Sequence, residues 1–282
     1  MSYHNLLRKV IANPEVLLLD EFPGAVGAYS LRYLSSSYTD DVILVRRSSD
    51  DAEEGFTPTE ITNGTLEGFC GAGDGFVKIC YDQSGNGYNL NQFTNANQPK
   101  IVSSGDIILE NGNPVFDFQS DKWLESTDAS LINIPDTGMT ISVVSTPLTN
   151  ETNHALYGFN GSDDIILYPN DTDSGDGGNR IFWRNNGINV ISESGINLSG
   201  VQTLYSTIYR QDYISSYRNS TNIDSKVLSG TSNSNWVVFR FGFWGAGQFF
   251  NGFGQEIIIW DGDKESDITG IDSNINKYYN VF

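Results

Sequence analysis

Gly75-Phe-Val-Lys-Ile-Cys-Tyr-Asp-Gln-Ser-Gly-Asn-Gly87 is the stretch that decides the fold. Its first seven residues alternate and are rich in β-branched and aromatic types, so they read as a strand. The last six are turn formers. Gly85 and Gly87 tolerate positive φ, and Asp82 and Ser84 can accept hydrogen bonds from nearby backbone amides. A strand that runs into such a corner belongs to a sheet that turns back on itself.

The same rhythm continues outward. Residues 41–46, 115–118, 140–145, 155–159, 164–168, 180–184, 189–192, 202–209, 213–218, 236–244 and 254–260 all read as strands with turns between them. No strand–helix–strand alternation appears, so a two-sheet sandwich is expected. The period changes only at the end. Ile268, Ile271, Ile275 and Tyr278 share one face of a helix behind a Ser266-Asp267 cap. The loop 170–179 interrupts the strands without dividing the domain. The expected layout is an arm over 1–27 and a single β-sandwich over 28–282.

Charge narrows the function. Sixteen Lys and Arg stand against 35 Asp and Glu, a formal net charge of −19. That excludes a nucleic-acid clamp and docking on an anionic membrane. The longest apolar runs, Val16–Leu19 and Ile257–Trp260, are far short of the ~20 residues of a membrane span. Residues 1–16 lack a long apolar core of the secretory kind, so synthesis without export is the expectation. The arm carries Arg8 and Lys9 and no acid before Glu15. Leu6, Leu7, Val10 and Ile11 form a short helical stripe beside them. Two readings stay open: a terminal helix on its own domain, or an anchor to another subunit. Cys70 and Cys80 are either two reduced thiols or one local disulfide.

Three groups of motifs carry a resemblance: residues 28–38 with Val45-Arg-Arg-Ser-Ser-Asp50; Tyr81–Gly87 with Asn97–Val102; and Asn111-Gly-Asn-Pro-Val-Phe-Asp-Phe118. In this order they resemble the concanavalin A-like, LamG-type jelly-roll domains of bacteriophage virion proteins. The first two also resemble the catalytic domain of family 54 α-L-arabinofuranosidases. The resemblance implies an all-β jelly roll with a C-terminal helix. It further implies a virion structural protein, such as a capsid decoration, head fibre or tail component, made in the host cytoplasm. Its arm would join other virion proteins, and a symmetric homo-oligomer would suit such an appendage.

No catalytic residue is carried over. The arabinofuranosidase nucleophile sits in a Glu-then-aliphatic motif that neither Glu193 nor Glu256 matches, and His154 has no Ser/Asp arrangement beside it. The expectation is therefore a protein that makes contacts and is not an enzyme. Its alternatives are a glycoside hydrolase of arabinofuranosidase type and a free carbohydrate-binding module. The glycan or partner contact is expected at Trp183, Trp236, Trp244, Phe249 and Phe250, because aromatic faces stack on sugars and anchor interfaces. The Phe239–Phe253 run is expected to form a tip loop. No cofactor is required. The carboxylates of Asp171, Asp173 and Asp176 offer the hard oxygens that Ca2+ prefers, against a plain solvated acidic loop.

Overall fold

The computed structural model describes residues 16–128, 131, 138–150, 154–160, 164–171, 178–184, 188–193, 196–210, 213–227, 236–245 and 247–282; for 164, 171, 178–184 and 188–192 the description is of the backbone. The fold is a jelly-roll β-sandwich with a C-terminal helix. In the first sheet the strand order is Ala25–Ser30, Gly252–Asp261, Met139–Pro147, Thr203–Arg210, Tyr213–Arg218, Thr221–Val227, antiparallel throughout.

The second sheet is also antiparallel. It begins Glu53–Phe56, Ile43–Arg47, Gly75–Cys80, Leu90–Asn91, Leu124–Ser126. It continues Val238–Phe241, Tyr157–Asn160, Asp164–Asp171, Gly178–Arg184, Ile188–Ser192. Two short strands, Lys100–Ser103 and Phe116–Asp117, connect Gly75–Cys80 to the closing strand Gly252–Asp261.

Side-chain alternation builds the core. Ile257 and Ile259 join Ile141, Val143, Tyr205 and Tyr209 between the sheets, where they meet Tyr157, Phe159, Phe239 and Phe241. Ile258 and Trp260 point the other way, onto Ile271, Ile275 and Tyr279 of the C-terminal helix Ile268–Tyr279. The closing strand Gly252–Asp261 is thus buried on both faces, which explains its unbroken Ile257-Ile-Ile-Trp260 run. Full burial of each such side chain contributes about 1.5–3 kcal/mol. The helix starts after Asp267, as the spacing predicts, but neither Ser266 nor Asp267 supplies a side-chain cap.

Two buried acids under the helix have hydrogen-bond partners. Glu256, fully buried, accepts from Arg32 Nε (2.8 Å) and Nη2 (3.0 Å), from Ser30 Oγ (2.8 Å) and from Tyr279 Oη (3.1 Å). Asp272 accepts from Ser206 Oγ at 2.7 Å. Burial pushes its carboxyl up to about 6, against the lowering effect of hydrogen bonds from Ser206 and Ser220.

The Asp82–Gly87 corner forms as its residues dictate. Asp82 Oδ1 accepts from the Ala28 and Ser84 amides at 2.9 Å each, and Oδ2 from Ser84 Oγ (2.7 Å) and the Tyr88 amide (3.1 Å). Gly85 and Gly87 have φ of 91° and 79°. The Arg46 and Arg47 guanidiniums pair with Asp51 (2.6 Å) and Asp50 (2.7 Å). Both cysteines are buried free thiols, and burial pushes Cys70 up to about 11.

The expected arm divides differently. Residues 16–27 belong to the sandwich: Leu18 and Ala25 are buried with the C-terminal helix, and Trp260 Nε1 donates to the Phe22 carbonyl at 2.9 Å. Leu6, Leu7, Arg8, Lys9, Val10 and Ile11 lie outside the described residues.

Candidate functional site

Alternation along the second sheet gives it an outward face. Phe239 and Phe241 point into the core, so Arg240 between them points out. Gly158 does the same between Tyr157 and Phe159, and Ile166 between Ile165 and Leu167. Register aligns these in one cross-strand row, Asn91–Glu125–Arg240–Gly158–Ile166. Glu125 Oε2 accepts from Arg240 Nε at 2.8 Å, and both side chains remain partly open to solvent.

The chain leaves this sheet at Gly242, whose φ is 93°, and crosses back over the face before the closing strand. Arg240 holds that crossing. Its Nη1 donates to the Trp244 carbonyl at 2.7 Å, and its guanidinium lies 5.1 Å from the Phe243 ring centre. Trp244 lies on Gly158, where a Cβ would come within 2.7 Å of its Cδ1. Ala155, Ile166 and Tyr168 complete its bed. Phe243 and Phe249 stack at 4.4 Å and 14°, and Trp123 sits against both at 5.0 and 5.7 Å.

A cleft of about 400 Å³ opens beside this aromatic group, lined by Gln119, Ser120, Asp121, His154, Phe249 and Asn251, among others. Ser120 and Asp121 hold left-handed backbone, with φ of 62° and 63°. Such conformations cost non-glycine residues about 1–2 kcal/mol each and gather at functional sites. The lining combines an aromatic ring with amides, a hydroxyl, an imidazole and a carboxylate. That set suits a neutral polyhydroxylated ligand, whose ring carbons need a flat apolar surface and whose hydroxyls need donors and acceptors.

The five expected contact residues separate. Trp244 and Phe249 are half-buried on the same crossing; Phe249 lines the cleft, while Trp244 packs on the sheet beside it. Trp236 is instead buried against Phe159, with ring centres 4.8 Å apart, and Phe250 is buried beside Phe118. Trp236 leaves the expected site for the core, whereas Phe250, though buried, still backs the lining of the cleft beside Phe249. Trp183 falls on the strand Gly178–Arg184, of which only the backbone is described. The expected tip loop shrinks to residues 242–251, because 238–241 and 252–253 are strand.

Asp171 ends the strand Asp164–Asp171, while Asp173 and Asp176 lie outside the described residues. Glu193 is taken by Arg218 in a two-point ion pair of 2.8 and 2.6 Å. Trp123, Glu125, Arg240 and Phe243 were missed. The alternation Phe239-Arg240-Phe241 was the available signal for an outward cation.

No family model and no curated protein matches the sequence. Solved structures do. An arabinofuranosidase complexed with arabinofuranosyl-α-1,2-xylobiose matches 92% of this chain with a TM-score of 0.70 at 17% identity. A family 54 α-L-arabinofuranosidase soaked with a cyclic sulfate inhibitor matches the same share with 0.69 at 17% identity. The binding domain of Paraclostridial Mosquitocidal Protein 1 matches 86% with 0.50 at 16% identity, over 53% of its own length. This chain spans 64% of the length of the two arabinofuranosidase chains.

At this identity the likeness establishes a shared fold, the jelly roll. It overturns the expectation of a protein that is not an enzyme, because the structures matched along nearly the whole chain are arabinofuranosidases. The virion role and virion partners rest on the motif resemblance alone.

Proposed function

We propose that this domain is a glycoside hydrolase acting on glycans that carry arabinofuranosyl groups, and that the sugar enters the cleft beside Phe249. The observation that carries the reading is the composition of that cleft, an aromatic stack next to amide, hydroxyl and carboxylate groups on the outward face of the second sheet. The match to arabinofuranosidases over 92% of the chain supports the choice of sugar.

Hydrolysis needs two carboxyl groups, about 5–5.5 Å apart for retention or roughly 6.5–9.5 Å for inversion. Asp121 is the carboxylate lining the cleft among the described residues. Its partner is to be found by replacing acidic residues one at a time and seeking a variant that binds sugar without turning it over.

The test is release of 4-nitrophenol from 4-nitrophenyl α-L-arabinofuranoside. The wild-type chain turns it over, and Asp121→Asn lowers kcat at least 100-fold with binding retained. A chain that binds arabinofuranosyl oligosaccharide but never releases the aryl group overturns hydrolysis and leaves recognition.

A further inference from the structure

Phe93 is 70% exposed, the most open aromatic ring among the described side chains. Leu90 and Gln92 are buried and Asn91 is half-buried, so alternation carries Asn91 and Phe93 to the outward face of the second sheet. A phenyl ring left in water forgoes the stabilisation that burial would contribute.

The segment that carries this ring is fixed by buried amides. The Gln92 backbone amide donates to the Lys78 carbonyl at 2.8 Å. Gln92 Oε1 accepts from the Thr94 amide at 3.0 Å, and its Nε2 donates to the Trp123 carbonyl at 3.4 Å. Gln98 is fully buried; its Nε2 donates to the Gln92 carbonyl at 2.9 Å, and its Oε1 accepts from Arg46 Nε at 2.8 Å. The Asn97 amide closes the short turn Asn95–Asn97 onto the Thr94 carbonyl at 2.9 Å. The ring is therefore presented on a frame that is already ordered, and a ligand that meets it loses little additional loop entropy.

The same frame holds the aromatic group at the cleft. The Trp123 amide donates to the Asn97 carbonyl at 3.2 Å, and Lys122 Nζ donates to the Ala96 carbonyl. Trp123 is thus bonded to the Phe93 segment through both its amide and its carbonyl. Its ring sits 5.7 Å from that of Phe249, which lines the cleft. Adding these steps to the 3.8 Å between neighbouring Cα atoms places Phe93 roughly 10–20 Å from Phe249.

Charge and surroundings narrow the ligand. Lys78 Nζ lies 5.9 Å from the Phe93 ring centre and is bound to both oxygens of Glu53, at 2.7 and 2.9 Å. Its charge is answered in place, so the ring draws no anion to itself. Thr94 and Asn95 beside it are exposed and polar. An apolar peptide face would find one ring and no second apolar contact there. A neutral pyranose is served by both parts, its C–H face by the ring and its hydroxyls by the polar side chains.

We infer that Phe93 is a stacking platform for a backbone sugar of the same glycan whose arabinofuranosyl group enters the Phe249 cleft. The inference rests on the proposed glycan reading. It makes the preferred substrate a neutral oligosaccharide with a pyranose backbone, long enough to reach from the cleft to Phe93.

The test uses the full chain, arabinofuranosyl-substituted xylo-oligosaccharides of increasing length, and 4-nitrophenyl α-L-arabinofuranoside. Binding is followed by titration calorimetry and turnover by KM and kcat. Phe93→Ala is expected to weaken binding of the longer oligosaccharides about 5- to 10-fold and to raise their KM equally. Phe93→Tyr restores both. The KM and kcat for the aryl glycoside and the thermal midpoint stay unchanged in either variant. Long-oligosaccharide affinity that is equal in wild type and Phe93→Ala overturns the platform while the hydrolase reading stands. Binding that depends on Phe93 without any turnover keeps the platform and removes hydrolysis. A wild-type chain that cleaves the aryl glycoside but binds no oligosaccharide overturns the platform alone, and one that does neither overturns both.

Discussion

The two outward faces of the sandwich are built to opposite ends. That of the first sheet is covered by a twelve-residue helix, and its polar groups, Glu256 with Arg32 and Asp272 with Ser206, are buried and paired. That of the second sheet, among the described residues, is crossed by residues 242–251 and keeps Glu125, Arg240 and Asn91 within reach of water. Both strand sets alternate, and what differs is the chemistry of the outward residue. Ile258 and Trp260 require a cover, whereas Arg240 and Gly158 accept either solvent or a ligand. One face contributes stability, and the other is left available for binding.

This contrast can be broken most forcefully at Glu256. Glu256→Gln leaves the Arg32 charge buried without its partner and is expected to cost about 3–5 kcal/mol, read by urea denaturation. Sugar affinity of whatever fraction stays folded should not move. A loss under about 1 kcal/mol would mean that water reaches this pair.

Next is pH. The Asp272 carboxyl sits at about 6 in the folded chain, against an ordinary value of 3.8. The fold therefore holds that proton more tightly than the unfolded chain does. Stability is expected to rise as pH falls through 6, with the gain complete below 3.8. The full gain is about 3 kcal/mol. Asp272→Asn should remove this part of the pH dependence. An unchanged slope between pH 7 and 4 in that variant would assign the effect elsewhere.

On the open face, Gly158→Ala pushes a methyl group into Trp244. Its expected cost in stability is about 1–3 kcal/mol, as for overpacking elsewhere. Its effect on function should be larger, at least a 10-fold loss of sugar affinity, because Trp244 moves with residues 242–251. Equal affinity in wild type and variant would detach that crossing from the site. Smallest is Ser120→Gly, which relieves left-handed strain and should stabilise the chain by roughly 1 kcal/mol. Weaker sugar binding should accompany it as the cleft wall loosens, and calorimetry with the same oligosaccharide measures this.

Much of the fold was readable because alternation is a local signal. The Tyr213–Arg218 strand and the helix after Asp267 could be located from spacing alone. Two short helices, Pro58–Thr62 and Thr65–Cys70, were not, although Thr57 and Glu60 form a capping box that the sequence displays. The site was half legible. Trp236 and Trp244 are an even number of residues apart, which in one unbroken strand would place them on one face. The left-handed Gly242 ends that strand, so one ring enters the core while the other lies on the sheet. Counting aromatic residues identifies a rich segment, but only register assigns each ring to a face. Glu125 and Asn91 are 34 residues apart in the chain and meet only through pairing, so no local pattern announces them.

The helix covering the first sheet also fixes where the chain can be held. Val16 accepts from Asn274 Nδ2 at 2.9 Å, and Asn276 is bonded to both the amide and the carbonyl of Phe282, so the first and last described residues meet on the helix side. A tether, tag or neighbouring module attached at either point sits behind the sandwich. Immobilised that way, the molecule presents the outward face of the second sheet to a polymer in front of it, and many copies on one surface could grip the same strand with combined avidity.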